Sequence, residues 1–282
     1  MGAVTLDRFG SEWRPGGAPL YAARALAALG LRARVLAIAG PGADLEALSG
    51  HELEVVDAEA SLRFEHEPAG ESRRLRLVVR PERALTARDL PPGWGDAEVL
   101  VLAPLLPDDL DVVSFGGVGS GLVGLLAQGL QRRVAPDGVV SLAGEPSEAL
   151  CTALGAGHAR TTVFLSSEEV AGWPREALPA LASSCARVVV TRGAAGAEVH
   201  RAGEAPLAVA AAPADARDTT GGGDAFAAAF MAALAGGAGD AGAGALAARL
   251  AAATVARVGP AELPAVALQG SGVEVGDAVV AQ

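Results

Sequence analysis

A doubly wound α/β architecture, with a mostly parallel central sheet and helices on both faces, is what this sequence predicts. Four short apolar runs, at residues 97–103, 122–127, 162–165 and 187–191, are continuous and not alternating. That is the pattern of strands covered on both faces. Stretches with helical spacing of Ala and Leu separate strand-like runs along the chain, which is the βα order of a parallel sheet. The bulk numbers agree. The chain has 282 residues, 51% of them hydrophobic and 20% charged. It is long enough for one elaborated domain and too apolar for disorder.

Taken in order, residues 16–30 read as a helix with a glycine-rich entry and Gly30 as its stop. Residues 32–40 follow as a buried strand, and 54–56 as a second, short one. Residues 61–80 hold two extended runs around Pro68 to Gly70 that alternate apolar and polar side chains. They read as a half-exposed hairpin appended to the main sheet. After Asp224 come two small-residue helices, at 225–235 and 241–256. No internal repeat is evident, and the Gly-, Val- and Ala-rich tail after Pro264 has no assigned element.

The net charge of −11 offers no bulk attraction for nucleic acid or for an anionic membrane surface. An anionic ligand must therefore be held locally, by backbone N–H groups, a helix terminus, arginine or a metal. Cys151 and Cys185 have no metal-site spacing. A disulfide stays open, while two buried free thiols fit a reducing compartment. Without a signal-like N-terminus or a bilayer-length apolar run, the expected location is cytoplasmic. The chain contains no lysine and no asparagine. A P-loop nucleotide site, which requires GKS or GKT, is thereby excluded.

The chemistry concentrates in Asp218-Thr-Thr-Gly-Gly-Gly-Asp224 and the helix that follows. Glycine lets backbone approach a ligand closely, and the first N–H groups of a helix lack intrahelical partners. Gly221, Gly222 and Gly223 at a positive helix end therefore suit a phosphate. Asp224 stands where a carboxylate can take the proton of a hydroxyl beside that phosphate. For the segment alone, an N-capping Asp224 after a flexible loop is the simpler account.

This segment resembles the second signature of the PfkB/ribokinase family of carbohydrate kinases, and other landmarks follow in the family's order. Gly16-Gly17, Tyr21 and the helix to Gly30 are similar to the first signature. Leu165-Ser-Ser-Glu-Glu169 falls where the family has its N-x-x-E metal motif. Thr191-Arg-Gly193-Ala-Ala-Gly196 resembles its strand-end T-x-G-x-x-G. The resemblance implies a ribokinase-like fold in a single domain, residues 1–282, with a small β lid from about 7–16 and 61–80. It implies ATP-dependent phosphorylation of a hydroxyl on a sugar or cyclitol, with Asp224 as general base and Gly221, Gly222 and Gly223 as anion hole. Thr191, Gly193, Gly196, Thr219 and Ala252 would border the nucleotide, and Glu169 would order Mg²⁺. Asp7, Gly16, Gly17, Tyr21 and Gln128 would line the acceptor pocket. Asp218 would order the glycine loop, with room for a monovalent cation. The protein would be a monomer or homodimer with a small-molecule partner.

The sequence departs from the family at Gly222 (an alanine there), Tyr21, Ser166 and Ala252 (asparagines there). Residues around Tyr21, Gln128 and Ser166–Glu169 are similar to the branch containing myo-inositol kinase-like proteins. A nucleoside kinase and a catalytically silent ligand-binding relative are the alternative readings. Little chain precedes Asp7, so the first strand is expected to be short or its start misassigned. His66 is a minor candidate for substrate contact, Arg192 for an ATP contact, and Arg132 and Arg133 read as a solvated face.

Overall fold

The computed structural model describes residues 1–69, 72–155 and 158–266. In chain order the strands are β1 (Gly2–Ala3), β2 (Thr5–Phe9), β3 (Glu12–Gly16), β4 (Arg34–Ala39), β5 (Glu52–Asp57), β6 (Leu62–Ala69), β7 (Ser72–Val79) and β8 (Val99–Leu102). They continue with β9 (Leu122–Leu126), β10 (Arg132–Val134), β11 (Val140–Leu142), β12 (Thr161–Ser166), β13 (Arg187–Thr191), β14 (Ala197–His200) and β15 (Leu207–Val209). The helices are α1 (Ala18–Ala28), α2 (Glu148–Leu154), α3 (Ser167–Val170), α4 (Ala177–Ala182), α5 (Gly222–Ala235) and α6 (Asp240–Val255).

The central sheet runs β15-β14-β13-β12-β9-β8 and continues into β1-β4-β5. The two parts meet at the parallel Gly2–Ala103 bridge, where the Ala103 amide donates to Met1 O at 3.0 Å. From β13 through β5 the pairing is parallel, and β14 and β15 add an antiparallel edge. Alternation along β12 sorts the two faces. Val163 and Leu165 join the core that holds Leu150 of α2 and Leu181 of α4. Phe164 joins the core that holds α5 and α6. Both faces are buried, which is why these strands read as unbroken apolar runs.

Small residues set how closely α5 packs. Its Ala225, Ala227, Ala229 and Ala233 are all buried, and the Phe230 ring meets Phe164 edge-on at 5.7 Å. A Cβ on Gly124 of β9 would come within 2.8 Å of Met231 Cγ, so glycine there admits α5 to the sheet.

A separate four-stranded sheet, β3-β2-β6-β7, stands off the main one. The first strand, β1, has two residues, as short as the lead-in to Asp7 suggests, and two five-residue strands, β2 and β3, follow before helix α1. The turn expected around Gly70 lies outside the described residues, as does the tail from 267 onward. Cys151 is exposed and Cys185 half-buried, which corrects the expectation of two buried thiols. Cys151 lies on the outer side of α2, a short helix that buries only Leu150 and Leu154. Among the described residues no helix is long and apolar enough to cross a membrane.

Candidate active site

Gly221 is the N-cap of α5, at φ +76°, so the helix begins at Gly222 and Asp224 lies inside its first turn and not at the cap. No side chain caps this end. The Gly222 amide donates to Thr219 O at 3.4 Å, and the N–H groups of Gly223 and Asp224 are left for a ligand. Gly223 is exposed, and a Cβ there would meet nothing within 4 Å, so the backbone faces open space. A Cβ on Gly222 would come within 2.8 Å of Val255 Cγ1 on α6. Glycine at 222 thus leaves room for Val255 on the next helix.

Asp218 anchors the loop ahead of these glycines. Its Oδ1 accepts from the Thr220 amide at 3.0 Å and its Oδ2 from the Gly259 amide at 3.3 Å. Its own amide donates to Val255 O at 3.1 Å. Burial pushes its carboxyl up, but Thr220, Gly259 and Arg14 outweigh that and hold it below the usual range. Asp218 therefore orders the loop, as the sequence reading expected.

Asp224 faces three charged groups from three other elements. Burial pushes its carboxyl up to about 6, Arg132 pulls it down, and Glu169 and Asp7 push it further up. Asp7 lies on β2 and is only 7% exposed. Burial raises it to about 6 as well, against the pull of the Thr5 hydroxyl, Arg132 and the Phe64 amide. Glu169 is 4% exposed and is the third residue of α3. Its Oε2 accepts from the Ser166 amide at 2.7 Å, and its own amide donates to Ser166 Oγ at 3.4 Å. This reciprocal capping box needs only a short hydroxyl at 166, so serine serves where the family has asparagine.

Arg132 stands among these carboxylates, and the expectation of a solvated arginine is corrected. It donates from Nη1 to Leu105 O at 2.8 Å and from Nη2 to Gln128 Oε1 at 3.0 Å, and lies 5.1 Å from the Phe64 ring centroid. Glu169, Asp109, Asp7 and Asp224 all bear on it. Asp109 accepts the Leu105 amide on both oxygens, which steadies the carbonyl that Arg132 holds. One guanidinium thus links the second sheet, α3 and α5. Its neighbour Arg133 is exposed, so the doublet divides between site and solvent. Only spacing could have flagged Arg132, four residues past Gln128.

Tyr21, in the first turn of α1, is 3% exposed. A Cβ on Gly221 would fall 2.0 Å from its ring, so ring and loop backbone are in direct contact. Burial, then Asp218, Asp224 and Asp7, push its hydroxyl pKa up. Gly16 leaves room for Asp7, since a Cβ there would lie 2.4 Å from Asp7 Oδ2. Gly17, at φ +96°, would collide with Ala3 O at 2.3 Å. Gln128 is exposed beside Arg132; burial raises the Glu169 carboxyl, against the pull of the Ser166 amide and of Gln128. His66 stacks on Phe9 at 4.2 Å on the second sheet.

The remaining predicted residues lie on β13, on the turn after it, in the loop before the glycines and on α6. Thr191 ends β13 in register with Ser166. Gly193 and Gly196 both have positive φ, and a Cβ on Gly196 would strike Val209 O at 2.1 Å. From there the chain runs through an exposed loop, Thr219 included, back to Asp218 and the end of α6, where Ala252 is half-buried. Arg192 pairs with Glu198. Among the described residues no cluster of three or more metal-binding side chains occurs.

Residues 162–266 match the model of the pfkB family carbohydrate kinase. No curated protein sequence matches the chain. Solved structures share its fold. A pyrophosphate-dependent kinase in the ribokinase family, complexed with a pyrophosphate analog and myo-inositol, is 18% identical, with a TM-score of 0.73 over 94% of this chain and 96% of that one. The Burkholderia thailandensis nucleoside kinase in complex with inosine is 20% identical, with a TM-score of 0.66 over 94% and 91%. The Vibrio cholerae fructokinase bound to fructose, ADP and calcium is 22% identical, with a TM-score of 0.67 over 93% of each chain. The fold is ribokinase-like, and the family match supports a phosphotransferase with a hydroxyl acceptor.

Proposed function

We propose that this ribokinase-fold protein, matched over residues 162–266 by the pfkB family carbohydrate kinase model, transfers the γ-phosphoryl group of ATP to a hydroxyl of a sugar or cyclitol. The observation that carries the reading is the pairing of Asp224 with the uncapped glycine start of its own helix. The carboxylate accepts the acceptor's proton while the N–H groups of Gly221, Gly222, Gly223 and Asp224 hold the transferring phosphoryl oxygens, Gly222 giving up its long 3.4 Å bond to Thr219 O. A carboxyl pKa near 6 suits a base that works close to neutrality.

We assign the nucleotide border to Thr191, Gly193, Gly196, Thr219 and Ala252, and the acceptor pocket to Asp7, Gly16, Gly17, Tyr21 and Gln128. The second sheet would act as the lid that keeps water from competing as acceptor. Glu169 spends one oxygen on its own helix start and belongs to no closed carboxylate set. That fits a Mg²⁺ held chiefly by donor oxygens and water, with Glu169 orienting a water. Mg²⁺, when bound, neutralises charge on the donor phosphates.

A second reading concerns the donor. The pyrophosphate-dependent kinase has a higher TM-score than the nucleoside kinase or the fructokinase. Purified protein should therefore be assayed with ATP and, separately, with pyrophosphate, against inositols, hexoses, pentoses and nucleosides. Acceptor-dependent ADP release supports the main reading, and acceptor-dependent phosphate release from pyrophosphate alone replaces it. Turnover that no acceptor stimulates with either donor removes the kinase assignment.

A further inference from the structure

The inner face of the second sheet carries buried polar atoms without partners. Thr5 is 3% exposed and Asp7 7% exposed; the Thr5 hydroxyl bears on the Asp7 carboxyl, but neither Thr5 Oγ1 nor Asp7 Oδ1 has a hydrogen bond of good geometry. Arg14 Nε is in the same condition. Leaving such atoms unpaired costs about 1–3 kcal/mol each, more for charged groups. A ligand that satisfies them recovers that cost.

The three residues share one face. Asp7 stands directly opposite Arg14 on adjacent antiparallel strands, and Thr5 stands opposite Gly16. Directly opposed residues put their Cβ atoms about 4.5–5.5 Å apart. Gly16 keeps the ground between them clear, because a Cβ there would fall 2.4 Å from Asp7 Oδ2 and 2.7 Å from Thr5 Oγ1. Arg14 is held in place by its terminal nitrogens. Nη2 donates to Glu12 at 2.6 Å, Nη1 lies 3.7 Å from Asp218, and the head rests 5.0 Å from the Phe9 ring centroid. The guanidinium is thereby fixed and its charge is answered by two carboxylates, while Nε–H remains available.

We propose that Thr5, Asp7 and Arg14 form a grip for adjacent hydroxyl groups of an uncharged polyol, with Arg14 as a specificity-determining residue. This deepens the kinase reading and rests on it for the identity of the site. A hydroxyl both donates and accepts, so one can donate to Asp7 Oδ1 while another accepts from Arg14 Nε–H. Thr5 Oγ1 serves either as donor or as acceptor. A phosphorylated or carboxylated acceptor is disfavoured, because Glu12 and Asp218 already engage the Arg14 charge and Asp7 is itself acidic. The residues come from β2 and β3, so the grip lies on one antiparallel hairpin. Arg14 also touches the loop anchor Asp218, which sets the grip beside the glycine loop.

The test compares wild type with R14M and R14K, using myo-inositol and its monodeoxy analogs, by steady-state kinetics and by calorimetric binding without donor. Wild type should lose at least tenfold in acceptor affinity when one of two adjacent hydroxyls is removed. R14M should raise the acceptor KM tenfold or more, leave the donor KM within twofold, and no longer distinguish the parent from that deoxy analog. R14K, which keeps the charge without the Nε–H geometry, should behave like R14M, and it guards against a folding defect in the methionine variant. The proposal is overturned if R14M and R14K weaken parent and deoxy analog equally, if they act on the donor KM, or if inositol phosphates bind better than inositol. Binding with the expected discrimination but without phosphoryl transfer would uphold the grip and remove the kinase assignment. A wild type that binds no polyol removes the grip, whatever else it phosphorylates.

Discussion

The two sides of the candidate site are built from different material. The side proposed for the donor, from Gly221 into α5, consists of backbone: glycines, N–H groups and a helix end seated on a buried small-residue packing surface. The side proposed for the acceptor consists of side chains on a separate sheet, several of them with unsatisfied polar atoms. Phosphate is the same in every donor, so a backbone cradle can serve it without variation. Acceptors differ, and side chains on strands can change one at a time without disturbing the core. Arg132 and Tyr21 are where the two sides meet, one through charge and the other through contact.

The most severe break falls on the chemistry itself. Asp224→Asn should lower kcat by about 10³-fold or more while donor binding, measured by calorimetry, stays within a few-fold. Loss of donor binding along with turnover would instead make Asp224 part of the cradle. Next comes the charge link. Arg132→Met leaves Asp7, Asp109, Glu169 and Asp224 without the guanidinium that bears on all four. Removing one partner from a buried charge network costs about 3–5 kcal/mol. Chemical denaturation should show a loss in that range, discounted because Arg132 is only half-buried, and the acid limb of the turnover profile should move to higher pH. An unchanged profile would separate Arg132 from Asp224.

The contact link should respond less. Gly221→Ala puts a Cβ into the Tyr21 ring at a φ of +76°. Left-handed backbone costs a non-glycine residue about 1–2 kcal/mol before any clash, so Tm should fall by several degrees and kcat by more than tenfold. If Tyr21→Ala fails to recover part of that loss in the double variant, ring and loop are not coupled.

A pH series separates function from stability. Asp7, Asp109 and Asp224 have carboxyl pKa values raised from 3.8 to about 6 in the folded protein. A raised carboxyl contributes stability that is full below about pH 4 and is lost as the pH climbs through 6. Tm should therefore rise between pH 7 and pH 5 while turnover falls as Asp224 gains a proton. Asp218, whose pKa is lowered, acts the other way and only below about pH 4. The smallest effect is expected at Gly223, where a Cβ meets nothing. Gly223→Ala should raise stability by about 0.5–1 kcal/mol through helix propensity. It should also raise the donor KM several-fold, because a methyl group then stands where the phosphate approaches.

Much of this was legible in the residues. The continuous apolar runs marked the buried parallel strands, and alternation in 61–80 marked a sheet with one wet face. The glycines before Asp224 marked a helix start without a side-chain cap. Each of these signals is local, because periodicity and backbone freedom are properties of neighbouring residues. Local reading went astray where partners are distant. Arg132 and Arg133 look alike as a doublet, yet one sits among carboxylates from three other elements and the other in solvent. Asp224 was legible as an acid just after the glycines, but its raised pKa comes first from burial and then from Glu169 and Asp7 set against Arg132, all far away in the chain.

By itself, then, the sequence determined the alternation of strands and helices, the absence of a lysine-based phosphate site, and the place of the glycine-rich helix start with its acid. Only the tertiary structure decided which charges share the cleft, why Tyr21 demands glycine at 221, and that Thr5, Asp7 and Arg14 face one another with atoms to spare. Backbone conformation follows from adjacent residues. Electrostatic environment and unsatisfied hydrogen bonds depend on which distant side chains the packing of the two sheets brings together.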